Sequence, residues 1–163
     1  MTRHRIPRLL AAAAALLCAA GTLTSCATAS PADAAPAADT PACKLFRPIS
    51  HAVGLGEPSV STVSADGCTA YGAEYGTLTL SLDDRPLAAA SRGDGKRTEM
   101  EVGGRHAVML MGAINGVCKI FLESDDRSSV ELRLGRTTAM TPQVCAALKP
   151  VADKVAGRLP AAG

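Results

Sequence analysis

Six cysteines are the residues in this 163-residue chain whose type and placement best suit chemistry. The first to consider is Cys26, which closes the tetrapeptide Leu23-Thr24-Ser25-Cys26. Arg3, Arg5 and Arg8 form a basic region ahead of it, and Leu9 to Leu23 is an almost unbroken run of Ala and Leu. That run suits the apolar segment of an export signal and falls short of the roughly 20 apolar residues a spanning helix needs. Thr24 and Ser25 supply the small side chains a signal peptidase pocket accepts, whereas Cys18 follows the bulky Leu17. A plain secretion signal would cut near Ala27 or Ala29 and leave Cys26 as an odd thiol. The pattern therefore reads as a lipobox: residues 1–25 are a signal peptide and Cys26 is the lipidation site. Each buried acyl methylene contributes about 0.8 kcal/mol, and two or three chains hold stably. The membrane is then the expected partner, through acyl chains on Cys26. The expected location is the cell membrane, lipid-anchored at its extracytoplasmic face.

Cys43, Cys68, Cys118 and Cys145 lie beyond this segment. An even number in an oxidising compartment reads as two disulfides, and four cysteines allow three pairings. Cys43–Cys68 with Cys118–Cys145 is favoured, because each closes a modest loop between a helix and a strand. The alternative use of these thiols is a metal or redox site. No Cys-x-x-Cys exists and the spacings match no zinc pattern, so no metal or cofactor is expected.

Other reactive residues give weaker signals. His51 and His106 are the histidines left after cleavage, and neither sits in His-Glu-x-x-His or beside a Gly-x-Ser-x-Gly motif. Asp83-Asp84 and Asp125-Asp126 fall at strand ends, where aspartates serve turns. No calcium-loop pattern accompanies them. Arg92-Gly93-Asp94 spells an adhesion tripeptide within a Gly-rich loop, a chance match. Met100, Met109 and Met111 either fill a core poor in aromatics or line a shallow apolar groove on a sheet face without helices. No catalytic set emerges.

The elements that must position these residues start after a linker. Residues 27–42 are almost all Ala, Pro, Thr, Ser and Asp, which cannot bury a core and read as a disordered tether. One domain is expected over residues 43–160. It holds Phe46, Tyr71, Tyr75 and Phe121 and no Trp, so its core must be Leu, Val, Ile, Met and Ala. Such a core gains from covalent staples. Three of the 17 basic residues precede Cys26, which leaves 14 against 15 acids. That balance gives no reason to expect nucleic acid as a partner.

Pro48 suits the first turn of a short helix over 49–53, stopped by Gly54 and Gly56. Residues 57–67 read as a loop with a strand through Val60 to Val63. Cys68 to Tyr71 is a candidate strand, and Thr77 to Leu82 alternates leucine with hydroxyl as a half-buried strand does. Asp84-Arg85-Pro86 opens one helical turn through Leu87 to Ala90. Arg97 to Val102 is a weak edge strand, Gly103-Gly104 a turn, and Arg105 to Ala113 a strand apolar on both faces. Asn115-Gly116 signals a hairpin into Val117 to Glu123. Val130 to Leu134 alternates again. Thr141-Pro142 reads as a cap and first helical residue. Val144, Leu148, Val151, Val155 and Leu159 then mark an amphipathic helix, with a kink or restart expected at Pro150. The order is helix, strands in a meander, helix. The expected class is α+β: an antiparallel meander sheet with a short N-terminal and a longer C-terminal helix on one face.

The ordered set of Cys43-Lys44-Leu45-Phe46, Gly54-Leu55-Gly56, Cys68, Val102-Gly103-Gly104-Arg105-His106-Ala107, Cys118 opening a strand, and Cys145 in a helix ending Leu159-Pro160, behind a lipobox and a Pro/Ala linker, resembles the actinobacterial lipoproteins of the domain-of-unknown-function 3558 family. The resemblance implies export, anchoring and two disulfides, and carries no catalytic residue with it. The functional expectation is a non-enzymatic binding or sensor module of the cell envelope, with an envelope protein or lipid as ligand. The alternatives are a structural component of an envelope assembly and, behind it, an enzyme.

Overall fold

The computed structural model describes residues 40–161, apart from 65, 74, 113, 114 and 137. Cys26, the export signal and most of the linker lie outside the described residues. Three helices and seven strands are described: α1 (Pro41–Ala52), β1 (Ser59–Val60), β2 (Gly67–Gly72), β3 (Gly76–Asp83), α2 (Leu87–Ala90), β4 (Gly95–Val102), β5 (Arg105–Gly112), β6 (Val117–Glu123), β7 (Ser129–Gly135) and α3 (Thr141–Ala156). The class is α+β, with one antiparallel sheet ordered β1-β2-β3-β7-β6-β5-β4.

This order refines the expected single meander into two. β1-β2-β3 and β4-β5-β6-β7 are each built of sequential neighbours, and the second returns to seat β7 beside β3. The jump from β3 to the far edge is made through α2. Leu87 and Ala90 of that one-turn helix pack on Val108, Leu110 and Phe121, the apolar spots of the sheet face away from α1 and α3.

The main core lies on the other face. Alternation sends Cys68, Ala70, Leu78, Leu80, Leu132, Leu134, Cys118, Ile120 and Ala107 toward Phe46 and Ile49 of α1 and Val144, Leu148, Val151 and Val155 of α3. Phe46, Leu78, Leu80, Ile120, Leu132 and Leu148 are fully buried, each contributing about 1.5–3 kcal/mol by leaving water. Met109 is buried on this side, and Met100 and Met111 pack half-buried against it. Of the two readings of the methionines, the core one holds and the groove does not: strand parity turns all three toward the helices.

Both disulfides take the favoured pairing. Cys43–Cys68 ties α1 to β2 with Cα atoms 5.0 Å apart, and Cys118–Cys145 ties β6 to α3 at 5.2 Å. Each helix of the covering layer is thus bonded to a different strand beneath it.

The helices differ from expectation at their ends. α1 starts eight residues before Ile49, at Pro41, with Thr40 as N-cap accepting the Cys43 N–H at 3.2 Å. Thr40-Pro41 supplies the cap and the proline tolerated in a first turn, so Pro41 and Ala42 belong to the helix and not to the tether. Pro48 lies inside α1. In α3 the N-cap is Met140, and Thr141 is already helical. Its side chain is used elsewhere: Asn115 Oδ1 accepts from Thr141 N (3.1 Å) and Thr141 Oγ1 (3.2 Å), and Thr141 Oγ1 accepts from Gly116 N (3.0 Å). Asn115 and Gly116, just before β6, are thereby fastened to the start of α3. A Cβ on Gly116 would sit 2.2 Å from the Arg136 carbonyl oxygen, so only glycine fits there. Pro150 does not restart α3, which runs through to Ala156. The carbonyl four residues earlier belongs to exposed Ala146, where water can take the missing bond.

Arg105 closes the far end of the layer. It is 7% exposed and donates only to carbonyl oxygens: Glu123 and Ser124 at 3.2 Å, Leu159 at 3.1 Å, Ala156 at 3.4 Å, and Pro160. A cation at the C-terminal end of α3 also opposes the negative end of its dipole.

Candidate binding face

The same alternation that buries the leucines presents a polar row on the opposite face. β3 contributes Thr77, Thr79 and Ser81 between its buried leucines, and β7 contributes Glu131 and Arg133 between Val130, Leu132 and Leu134. Register places Thr69 opposite Thr79, Thr79 opposite Arg133, Ser81 opposite Glu131, and Arg133 opposite Lys119 of β6. Thus hydroxyls, a carboxylate and two cations stand side by side across four strands.

Their pairing is uneven. Thr69 and Thr79 hydroxyls bond each other at 3.0 Å. Lys119 Nζ reaches Glu131 Oε1 at 2.7 Å and lies 5.7 Å from the Phe121 ring centroid, a cation–π distance. At the end of β3, Asp83 Oδ1 accepts from the Arg85 Nε at 2.8 Å and the Arg85 backbone N–H at 3.0 Å. The Arg85 guanidinium holds the Asp83 carboxyl below the usual carboxylate range, and the Asp83 carboxylate raises the Arg85 pKa in return. Arg133, at the centre of the row, makes no hydrogen bond or ion pair with the described residues and is exposed.

The loop after β1 leans over this row. Val63, 73% exposed, and Ser64 wall a recess of about 280 Å³ floored by Thr79, Ser81, Lys119, Glu131 and Arg133. A second recess of about 210 Å³ adjoins it beneath Val63, Thr77 and Arg133. Arg133 borders both. A fork of guanidinium donors flanked by hydroxyls can hold a carboxylate or phosphate bidentately while the hydroxyls bond neighbouring polar groups.

No family model, no characterised protein and no solved structure matches this chain.

Of the sequence candidates, Asp83 borders this face and lines the first recess; His51, His106 and Asp125 are placed apart from it. His51 Nε2 bonds Glu57 Oε2 at 2.8 Å, and Arg47 Nε bonds Glu57 Oε1 at 2.8 Å. The His51 and Arg47 bonds lower the Glu57 pKa. His106 Nε2 lies 3.1 Å from Glu99 Oε2 on the β4–β5 pair, and Arg97, with His106 a lesser contributor, lowers the Glu99 pKa. Asp125 Oδ1 accepts the N–H groups of Arg127 and Ser128 at 2.8 Å, as a turn aspartate does, and these bonds lower its pKa. Among the described residues, no group of three His, Cys, Asp or Glu side chains is gathered as a metal site would require. No described helix is long and apolar enough to cross a membrane.

Sequence reasoning missed Lys119, Glu131 and Arg133. The alternation of Thr77–Leu82 and Val130–Leu134 announced two polar strand faces. What it could not announce was that β3 and β7, whose register partners Thr79 and Arg133 lie 54 residues apart, are neighbours.

Proposed function

We propose that the chain is an exported lipoprotein, acylated at Cys26, whose domain is a non-enzymatic binding module standing outside the cell membrane. Its ligand is an envelope molecule bearing a carboxylate or phosphate and adjacent hydroxyl or amide groups. The two disulfides support exposure to an oxidising compartment. The order of lipobox, linker and cysteines supports kinship with the lipoproteins named above. The observation that carries the binding reading is Arg133, free of any partner among the described residues, between two recesses on an uncovered sheet face.

The test is native mass spectrometry of the full chain extracted from its own membranes, as wild type and as Arg133→Gln. The expected wild type carries acyl mass on Cys26, two disulfides and a retained anionic ligand. The variant keeps the first two and loses the third. A chain without acyl mass overturns the anchor; an equal ligand mass on both forms overturns the role of Arg133.

A further inference from the structure

The sheet has two edges, and they are finished differently. At the β1 edge only Ser59 and Val60 form a strand, and beyond it the Gly56 N–H bonds the Tyr71 carbonyl at 2.9 Å. At the other edge β4 runs for eight residues, all exposed but Met100 and Val102. We propose that β4 is a self-association edge that pairs antiparallel with β4 of a second copy of this chain, joining two sheets into one.

Backbone parity defines which groups are offered. Gly103 and Gly104 link β4 to β5 with φ of 57° and 76°, the two positive angles of a type I′ turn. Such a turn is closed by a hydrogen-bonded pair, here Val102 with Arg105. Alternation then commits Met100, Thr98 and Lys96 to β5 as well. Gly95, Arg97, Glu99 and Glu101 turn their N–H and C=O groups outward.

Charge then selects the register. Lys96 and Arg97 lie in the first half of β4, Glu99 and Glu101 in the second. An antiparallel copy reverses that order and sets each half against its opposite. Three near-full registers satisfy the outward parity. One sets Arg97 against the partner's Arg97, and one sets Glu99 against the partner's Glu99. The third centres on Thr98 and sets Arg97 against the partner's Glu99, with Lys96 facing the partner's Met100. Only this last register has no like-charge pair directly opposite, the arrangement that stabilises cross-strand neighbours. It offers about eight backbone hydrogen bonds across the junction. Charges placed only to keep an edge unpaired need no such segregation by sign. Arg97 already bonds Glu99 of its own strand at 2.7 Å, so the junction becomes a ring of four alternating charges.

The test uses the full-length chain in its native membrane. In the selected register Thr98 faces the partner's Thr98 as a non-hydrogen-bonded pair, about 4.5 Å between Cα atoms, close enough for a disulfide. Thr98→Cys is expected to yield a covalent dimer under mild oxidation, whereas Arg97→Cys and Glu99→Cys, which report the two other registers, do not. Linking at none of the three, or equally at all, overturns the proposal. A second measurement avoids added thiols: the protein mass in detergent by light scattering. Wild type is expected at two chains, Glu99→Lys at one, and the swap Arg97→Glu with Glu99→Arg at two again. A wild type of one chain, or a swap that fails to restore the pair, overturns it.

Discussion

The two faces of the sheet are made by the same strands and differ in almost everything else. Leu132 and Arg133 are adjacent on β7; one is fully buried beneath α3 and the other stands in water between two recesses. The helix face holds the apolar core and both disulfides. The opposite face has one turn of helix over Phe121, Val108 and Leu110, and otherwise a row of hydroxyls and charges. On the proposed reading, strand parity separates stability from recognition: changes on one face should unfold the domain, and changes on the other should leave the fold intact.

The largest expected effect comes from the staples. Replacing all four domain cysteines by alanine should cost roughly 3 kcal/mol per closed loop, measured by urea denaturation, since each loop spans about the same length of chain. The sharpest form of the comparison follows. Leu132→Ala should lose about 2–5 kcal/mol, and its neighbour Arg133→Gln should stay within about 0.5 kcal/mol of wild type. Equal losses at both positions would break the distinction between the faces. Two arginines make the same point: Arg105→Met strips donors from five carbonyls and should cost about 1–3 kcal/mol by denaturation, unlike any change at Arg133. Asn115→Ala, which unties the β5–β6 turn from α3, should cost about 1 kcal/mol by the same measurement.

The smallest effect is in pH. Asp83, Glu57, Glu99 and Asp125 are all held below their ordinary carboxylate values in the folded chain. Below about pH 4 the unfolded chain therefore binds more protons than the folded one. Their stabilisation is present above that range and is lost as pH falls through the lowered values. Denaturation midpoints measured from pH 6 to pH 3 should decline at the acid end, and Asp83→Asn should flatten part of that decline.

Much of the fold was legible in residues. Leucine alternation in Thr77–Leu82 and Val130–Leu134, glycines at the β4–β5 turn, and the 4-3-4 spacing from Val144 to Val155 all answer to local physics, and each formed as expected. Helix ends were less legible, because a cap is decided by what else wants the side chain. Thr141 looked like an N-cap until Asn115, distant in sequence, claimed its hydroxyl. Thr40-Pro41 sat inside a run whose composition read as tether. The candidate site was the least legible part. Its residues are ordinary surface threonines, serines and charges until the crossover through α2 seats β7 beside β3, and that crossover has no local signature.

On the proposed reading, ligand recognition belongs to the uncovered face. Arginine-selective labelling with a glyoxal reagent tests it directly, comparing intact cells with the purified chain. Arg133 and Arg158, on the uncovered face and beyond the end of α3, are both exposed in the isolated domain. Arg133 is expected to be protected in the cell envelope and released on purification, while Arg158 labels equally in both. Equal labelling of Arg133 in both states, or protection confined to Arg158, would contradict it.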